Sequence, residues 1–359
     1  MKILDSLRTT DVALADVERF DLDRDQRLVA TVGETPDQRW LRREGEGWRS
    51  IRPRDDEQLP FAGELDALAL EGRIDVLSWK PGRRLTLAAP YAATRAIYKA
   101  RRRSAHAEAL SVHVGAELLM REGGFTCPPL LAHSREHAVL VFERLDARPL
   151  TIGLADTERF RRIGKNLRAL QERTPSVYLA LHGPRDEERV LVRMRERTLA
   201  IVGDEPAGAE ALLRRFTRVL GDVRASAPVV AHRDLHDGQF LVRGDELVLL
   251  DFDLLCLADS ALDVSNLGAH LELRALLGDA GGDGGNGVTE ESARACGEAL
   301  FEGLGRNGDR EFHRRVLFYR GATFLRLAWV YHARPRFARH CPELLARARA
   351  AFDEFESDA

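Results

Sequence analysis

Apolar residues recur along this chain in two regimes, and the change between them sets the expected architecture. Between Ile74 and Leu150 they come in short runs, IDVLSWK, RRLTLAA, RAIYKAR, LLAHS and AVLVFERL, separated by turn signals as strands require. Lys80-Pro81-Gly82-Arg83 is turn chemistry between the first two runs. One helical pattern interrupts them, SAHAEALSVHVGAELLMREGG, with Ser104 as its N-cap and Gly123-Gly124 as its stop. Beyond residue 150 the spacing turns helical over 155–172, 187–201, 207–224, 261–277, 289–305 and 310–332. The expectation is an α+β chain: an antiparallel sheet with one helix, then a larger helical region.

Residues 1–73 read as a separate layer to which no chemistry attaches. Its expected elements are a short acidic helix near 11–20, a strand pair (QRWLRR and GWRSIRP) turning at Glu44-Gly45-Glu46-Gly47, and a helix around 62–70 bounded by Pro60. The expected divisions are thus 1–73, 74–145 and 146–359. The stretch GDAGGDGGNG at 278–287 is too glycine-rich to pack and reads as a surface loop. No internal repeat is visible.

Composition narrows the classes without choosing one. A chain of 359 residues with 44% hydrophobic and 31% charged residues is ordinary for a globular protein, and a net charge of −3 gives no general attraction to nucleic acid. Four cysteines, far apart and without a C-x-x-C pair, suggest neither a disulfide framework nor a zinc site. With no apolar run of membrane-spanning or signal-peptide length, a cytoplasmic protein without membrane contact is expected. Of the 54 basic residues only Lys2, Lys80, Lys99 and Lys165 are lysine, so Lys99 inside a strand run stands out.

Candidate chemistry concentrates in VAHRDLHDGQFLVRGDELVLLDFD, residues 230–253. FLVR and ELVLLD flank Gly244-Asp245, a two-residue hairpin turn, so Arg243 pairs with Glu246 and Gln239 falls opposite Leu250, beside Asp251. The open end of the hairpin then gathers Asp234, Gln239, Asp251 and Asp253. Oxygen ligands at one hairpin edge beside an acid in the adjacent loop suit Mg2+ with phosphate oxygens. Phosphoryl transfer needs those parts: a carboxylate to orient the attacking hydroxyl, metal ligands, and a cation on the phosphates.

His232-Arg233-Asp234, then Gln239, then Leu249-Leu250-Asp251-Phe252-Asp253, resemble the catalytic loop and metal-binding segment of the aminoglycoside phosphotransferase and choline kinase family, distant relatives of protein kinases. Asp259 and Asp263 match the acidic positions that follow. The resemblance is strong at 230–266 and extends by pattern over roughly 74–355. It implies a two-lobed protein-kinase-like fold with an N-terminal extension, binding ATP and Mg2+ between a small sheet lobe and a helical lobe. It also implies that Asp234 is catalytic, that Gln239 and Asp251 are metal ligands with Asp253 as an added one, and that Lys99 contacts the phosphates. Glu117, in preference to Glu108, would pair with Lys99, and the backbone near Glu143 and Leu145 would hold adenine. The family commonly has Asn where this chain has Gln239, and a Gly where it has Asp253. No G-x-G-x-x-G precedes Lys99, and PYAATR at 90–95 stands where the phosphate-covering loop is expected.

The implied activity is transfer of the γ-phosphoryl group of ATP to a hydroxyl of a small molecule, a sugar, amino alcohol or antibiotic. The alternative is a weak or inactive nucleotide-binding relative serving as a binding module. A metallohydrolase built on His232, Asp234, His236 and Asp237 is the third reading, opposed by ligand order and the lack of a further histidine motif. His232 and Asp263 read as backbone-holding residues, His236 and Asp237 as loop solvation, and Arg101-Arg102-Arg103 as a solvated run.

Overall fold

The computed structural model describes residues 12–13, 16–33, 37–45, 47–224, 226–278 and 287–358. The loop expected at 278–287 lies outside the described residues apart from its two end positions. Four antiparallel strands come first, paired in sequence order: β1 (Val17–Leu22), β2 (Leu28–Val32), β3 (Arg39–Glu44) and β4 (Gly47–Ile51). The acidic helix expected over 11–20 is therefore corrected at 17–20, where Val17 and Phe20 are buried and the segment pairs with β2. Burial against a neighbouring strand overrides the helix-like spacing of the charges.

A short helix α1 (Leu65–Glu71) leads into β5 (Asp75–Lys80), β6 (Arg84–Tyr91), β7 (Thr94–Arg101), the helix α2 (Arg103–Glu122), β8 (Leu130–Ser134) and β9 (Val139–Glu143). These five strands form one antiparallel sheet in the order β5-β6-β7-β9-β8, which places Lys99 on its central strand. Helix α2 starts at Arg103 with Arg102 as its uncapped flanking residue, so Ser104 sits inside the first turn instead of capping it.

The N-terminal layer does not stand apart from the rest. Val29, Trp40 and Ile51 share a core with Trp79, Leu85 and Leu87 of the second sheet. Val17, Phe20 and Val32 pack on Ile201 and Ala333 of the helical region. Asp56, in the segment that follows β4, fastens that segment to the second sheet, accepting hydrogen bonds from the Trp79 indole at 2.9 Å and the Gly82 amide at 2.8 Å.

The helical region contains β10 (Arg148–Pro149), α3 (Thr157–Gln171), β11 (Leu181–His182), α4 (Pro184–Val202), α5 (Ala209–Val219), β12 (Val229–Ala231), β13 (Phe240–Arg243), β14 (Glu246–Leu249), β15 (Cys256–Ala258), α6 (Leu262–Gly278), α7 (Glu290–Leu304), α8 (Arg310–His332) and α9 (Cys341–Ser357). The α+β, two-lobed architecture is thus present, and α9 is a helix the apolar spacing did not single out. Helix α8 is apolar around most of its circumference, as a central helix must be, with Phe312, Phe318, Phe324 and Trp329 inaccessible. No helix among the described residues is long and apolar enough to cross a membrane.

Helices α3 and α7 approach so closely that a Cβ on Gly164 would strike the Leu300 carbonyl and one on Gly303 the Arg161 carbonyl. Backbone cannot yield as a side-chain tip can. Gly164→Ala is therefore expected to destabilise the protein by about 1–3 kcal/mol, despite the roughly 1 kcal/mol gained in helix propensity. Urea unfolding should show a lower midpoint at unchanged slope; an unchanged midpoint would disprove the contact.

Candidate active site

Strands β13 and β14 pair as their turn dictates, Arg243 against Glu246 and Phe240 against Leu249, with Gly244 at φ 58° in the turn. One step further the Leu250 amide donates to the Gln239 carbonyl at 2.9 Å, which sets Gln239 beside Asp251. The loop 232–238 is fixed from below by Asp263, on the first turn of α6. Its two carboxylate oxygens accept the amides of His232 and Arg233, each at 2.7 Å. The buried His232 ring bonds the Leu250 carbonyl through Nε2, also at 2.7 Å, and so locks loop to hairpin. Arg233 (φ 70°) and Asp251 (φ 60°) both hold left-handed backbone, a strain that persists only where the surroundings over-determine it.

Lys99 reaches across from β7 to Asp251, Nζ to Oδ1 at 3.2 Å. Burial opposes ionisation of Asp251, but the charges of Lys99 and Arg84 outweigh it and hold the carboxyl below the usual range. Asp253 is occupied otherwise: Arg101 lies at 3.2 Å and Arg84 at 3.8 Å. Arg101 accordingly does not belong to a solvated run. Gln239 turns its amide nitrogen toward His236 Nε2 at 3.3 Å, and its amide oxygen has no hydrogen-bond partner among the described residues.

Glu117 is not brought to Lys99. Its carboxylate pairs with Arg121 at 3.2 Å, four residues on along α2, whereas the exposed Glu108 lines the same cavity as Lys99. The inward position of α2 is taken by His113, edge-on to Phe142 at 4.4 Å. Burial, aided by the Lys99 charge, pushes the His113 imidazole down to about 4, so it stays neutral. The cavity containing Asp234, Lys99 and Asp251 is lined by Lys80 and Arg84, at the ends of the β5–β6 turn, and by no residue of 90–95. Composition hid this, because 80–83 reads as a plain turn.

That cavity, of about 1020 Å3, joins a second of about 680 Å3 lined by Ile97, Phe142, Glu143, Leu145, Gln239, Leu241 and Asp251. The Glu143 amide is spent on the Pro129 carbonyl at 3.0 Å, whereas the Leu145 amide has no backbone partner among the described residues.

His236 and Asp237 come together with His270 from α6, their ligand atoms within 4.8 Å of one another. Two of the three residues are engaged by other groups, while His270 stacks on the His236 ring. His236 Nδ1 accepts the Gly238 amide at 3.1 Å, and Asp237, buried instead of solvated, pairs with Arg274 at 2.9 Å. A guanidinium on the carboxylate opposes a dication there, which disfavours the metallohydrolase reading.

Comparison with known proteins adds the following. A family model described as phosphotransferase enzyme family matches residues 59–296. No curated protein matches the chain. Among solved structures, an amicoumacin kinase bound to AMP-PNP, Ca2+ and Ami is 16% identical, with 84% of this chain and 94% of that one covered and a TM-score of 0.59. A choline/ethanolamine kinase family protein from Mesorhizobium loti is 15% identical over 86% of this chain and 98% of its own, with a TM-score of 0.53. A choline kinase from Streptococcus pneumoniae is 13% identical, with coverages of 81% and 97% and a TM-score of 0.53. These likenesses establish a shared fold.

Proposed function

The chain belongs to the phosphotransferase enzyme family, and from that premise we propose that it transfers the γ-phosphoryl group of ATP to a hydroxyl of a small molecule. The observation that carries this reading is the state of Asp234. Asp237, Asp251, Asp253 and Asp263 each have a hydrogen-bonded or ionic partner. Asp234 lines the cavity half-buried with no hydrogen-bond partner among the described residues. A carboxylate held on a strained, anchored loop and left free is one that a substrate hydroxyl can engage.

In this reading Asp234 orients the attacking hydroxyl and takes its proton late, since a carboxylate is a weak base toward an alcohol. Asp251 and the Gln239 oxygen are hard donors suited to Mg2+, which when bound neutralises charge on the phosphates. Lys99 supplies a fixed cation to the phosphates, and Lys80 and Arg84 flank them from the β5–β6 turn. Adenine lies in the smaller cavity with the Leu145 amide as donor beside Glu143. Residues 74–145 then form the nucleotide-side lobe, 146–359 the acceptor lobe, and 1–73 a layer bracing both.

ADP release, followed over a panel of sugars, amino alcohols and antibiotics, tests the proposal. Turnover should disappear with EDTA and return with Mg2+ but not Zn2+. ATP binding without turnover on any acceptor would instead favour the binding-module reading.

Lys80 adds a pH dependence. Burial, with the charges of Arg84, Arg19 and Arg83, brings its ammonium down to about 8. Below that pH it is charged and attracts phosphate; above it the charge is lost. Nucleotide affinity is therefore expected to fall about tenfold as pH rises from 7 to 9, and Lys80→Gln should flatten that slope in a titration with ADP.

A further inference from the structure

We infer that the acceptor carries a carboxylate or phosphate group in addition to the hydroxyl it offers. The inference rests on the phosphotransfer reading and concerns the part of the cavity on the helical side of Asp234. There Arg193 from α4, Arg274 from α6, Arg326 from α8 and Arg334, just beyond α8, line one space. Arg274 is neutralised by Asp237. The other three have no carboxylate partner among the described residues: the Arg326 guanidinium rests on the neutral Asn266 oxygen at 2.5 Å, and Arg334 stacks on the Tyr331 ring at 4.8 Å.

Several other arginines of the same helices are paired with carboxylates. On α4, Arg189 pairs with Asp186, Arg195 with Glu205 and Arg197 with Asp21. On α8, Arg320 pairs with Glu272. Arg185 on α4 and Arg310 and Arg314 on α8 also have no carboxylate partner among the described residues and lie outside this cavity, so what sets Arg193, Arg326 and Arg334 apart is that they line one space.

Its helical wall offers them one carboxylate besides Asp234, which this reading reserves for the acceptor hydroxyl. Burial opposes ionisation of Glu187, but its hydrogen bond to His182 at 2.8 Å and the charge of Arg326 hold it below the usual carboxyl range, so one carboxylate faces three guanidiniums. Burial, assisted by His236, Arg326, Arg274 and Arg334, drives His270 well below the usual imidazole range, so it adds no proton to relieve or deepen the field at neutral pH. Guanidiniums that line one cavity repel one another, and an anion bound among them relieves that repulsion. The nucleotide phosphates are met by Lys80, Arg84 and Lys99 on the sheet side, which leaves the helical arginines for a second anion. Guanidinium forks fit carboxylate and phosphate equally well, and they repel a cationic acceptor such as an amino alcohol or aminoglycoside.

Calorimetry on the full chain, with AMP-PNP and Mg2+ present to fill the nucleotide site, tests this directly. The probes are D-glycerate and glycerol 3-phosphate as anionic alcohols, glycerol as the neutral one and choline as the cationic one. One or both anions should bind at least about tenfold more tightly than glycerol or choline, and the two anionic arms decide between carboxylate and phosphate. Arg193→Gln and Arg334→Gln should each weaken anion binding about tenfold without changing AMP-PNP affinity. ADP release is measured in parallel with the same four compounds. Anion binding that the arginine variants weaken, without ADP release, upholds the anion site on the helical wall and counts against phosphotransfer to the bound compound. ADP release from ATP with glycerol or choline as acceptor, with anions no better bound and the arginine variants unchanged, overturns the inference and leaves phosphotransfer standing. Absence of both overturns both.

Discussion

Asp234→Ala protein is expected to bind ATP as the parent does and to release ADP about a hundred- to ten-thousandfold more slowly, the usual range for a lost acid–base group. Two features separate this outcome from general damage. Because Asp234 has no hydrogen-bond partner among the described residues, its removal orphans no buried donor, so the urea midpoint should hold within about 0.5 kcal/mol. Because Lys99 and Asp251 bond each other on the far side of the cavity, the phosphate-facing charges remain in place. Asp234→Asn should be as inactive as alanine, since an amide of the same shape cannot accept the hydroxyl proton. Near-normal turnover in either variant, with an acceptor the parent uses, would remove Asp234 from the chemistry and with it the main support for the proposed mechanism.

What could be read from the residues alone follows the range of the interactions involved. The hairpin register, the meeting of Gln239 with Asp251 and the backbone-holding use of His232 and Asp263 depend on contacts within about thirty residues, where turn chemistry and spacing carry the signal. Lys99 was legible for a related reason: one lysine in a strand of an arginine-rich chain marks itself.

The failures lie where partners are distant or where a short segment fits two periods. Val17–Leu22 has charges spaced as on a helix, and only its pairing with β2 decides otherwise. The inward face of α2 could not be chosen between Glu108, His113 and Glu117 without knowing how the helix rotates against Phe142. The turn at 80–83 lacks the glycine pattern that would have announced it, and becomes part of the site because Asp56 and the N-terminal layer hold it there. The arginines at 193, 274, 326 and 334 converge only through the packing of α4, α6 and α8, so no local pattern could reveal them.

Removal of Asp263 should produce the largest stability loss and a separate catalytic one. In Asp263→Ala the amides of His232 and Arg233 lose acceptors in a site where Asp263 itself is 1% exposed, at about 1–3 kcal/mol for each stranded donor. The summed expectation is about 2–6 kcal/mol. Asp263→Asn keeps one acceptor oxygen and should lose about half as much, a graded pair that urea unfolding resolves. The catalytic part follows from Arg233, whose left-handed backbone is held by one of those bonds and whose neighbour is Asp234. A loop freed there displaces the free carboxylate by an ångström or so, and misplacement on that scale lowers kcat about a hundredfold. The KM for ATP should change little, because Lys99, Asp251 and the smaller cavity are fixed by the hairpin and the sheet. Asp263 is a positioning residue on this account, and the split between kcat and KM in Asp263→Asn, assayed where it remains folded, decides the matter. If stability falls while kcat holds, Asp263 supports the fold alone and Asp234 owes its placement to the His232 bond with the hairpin.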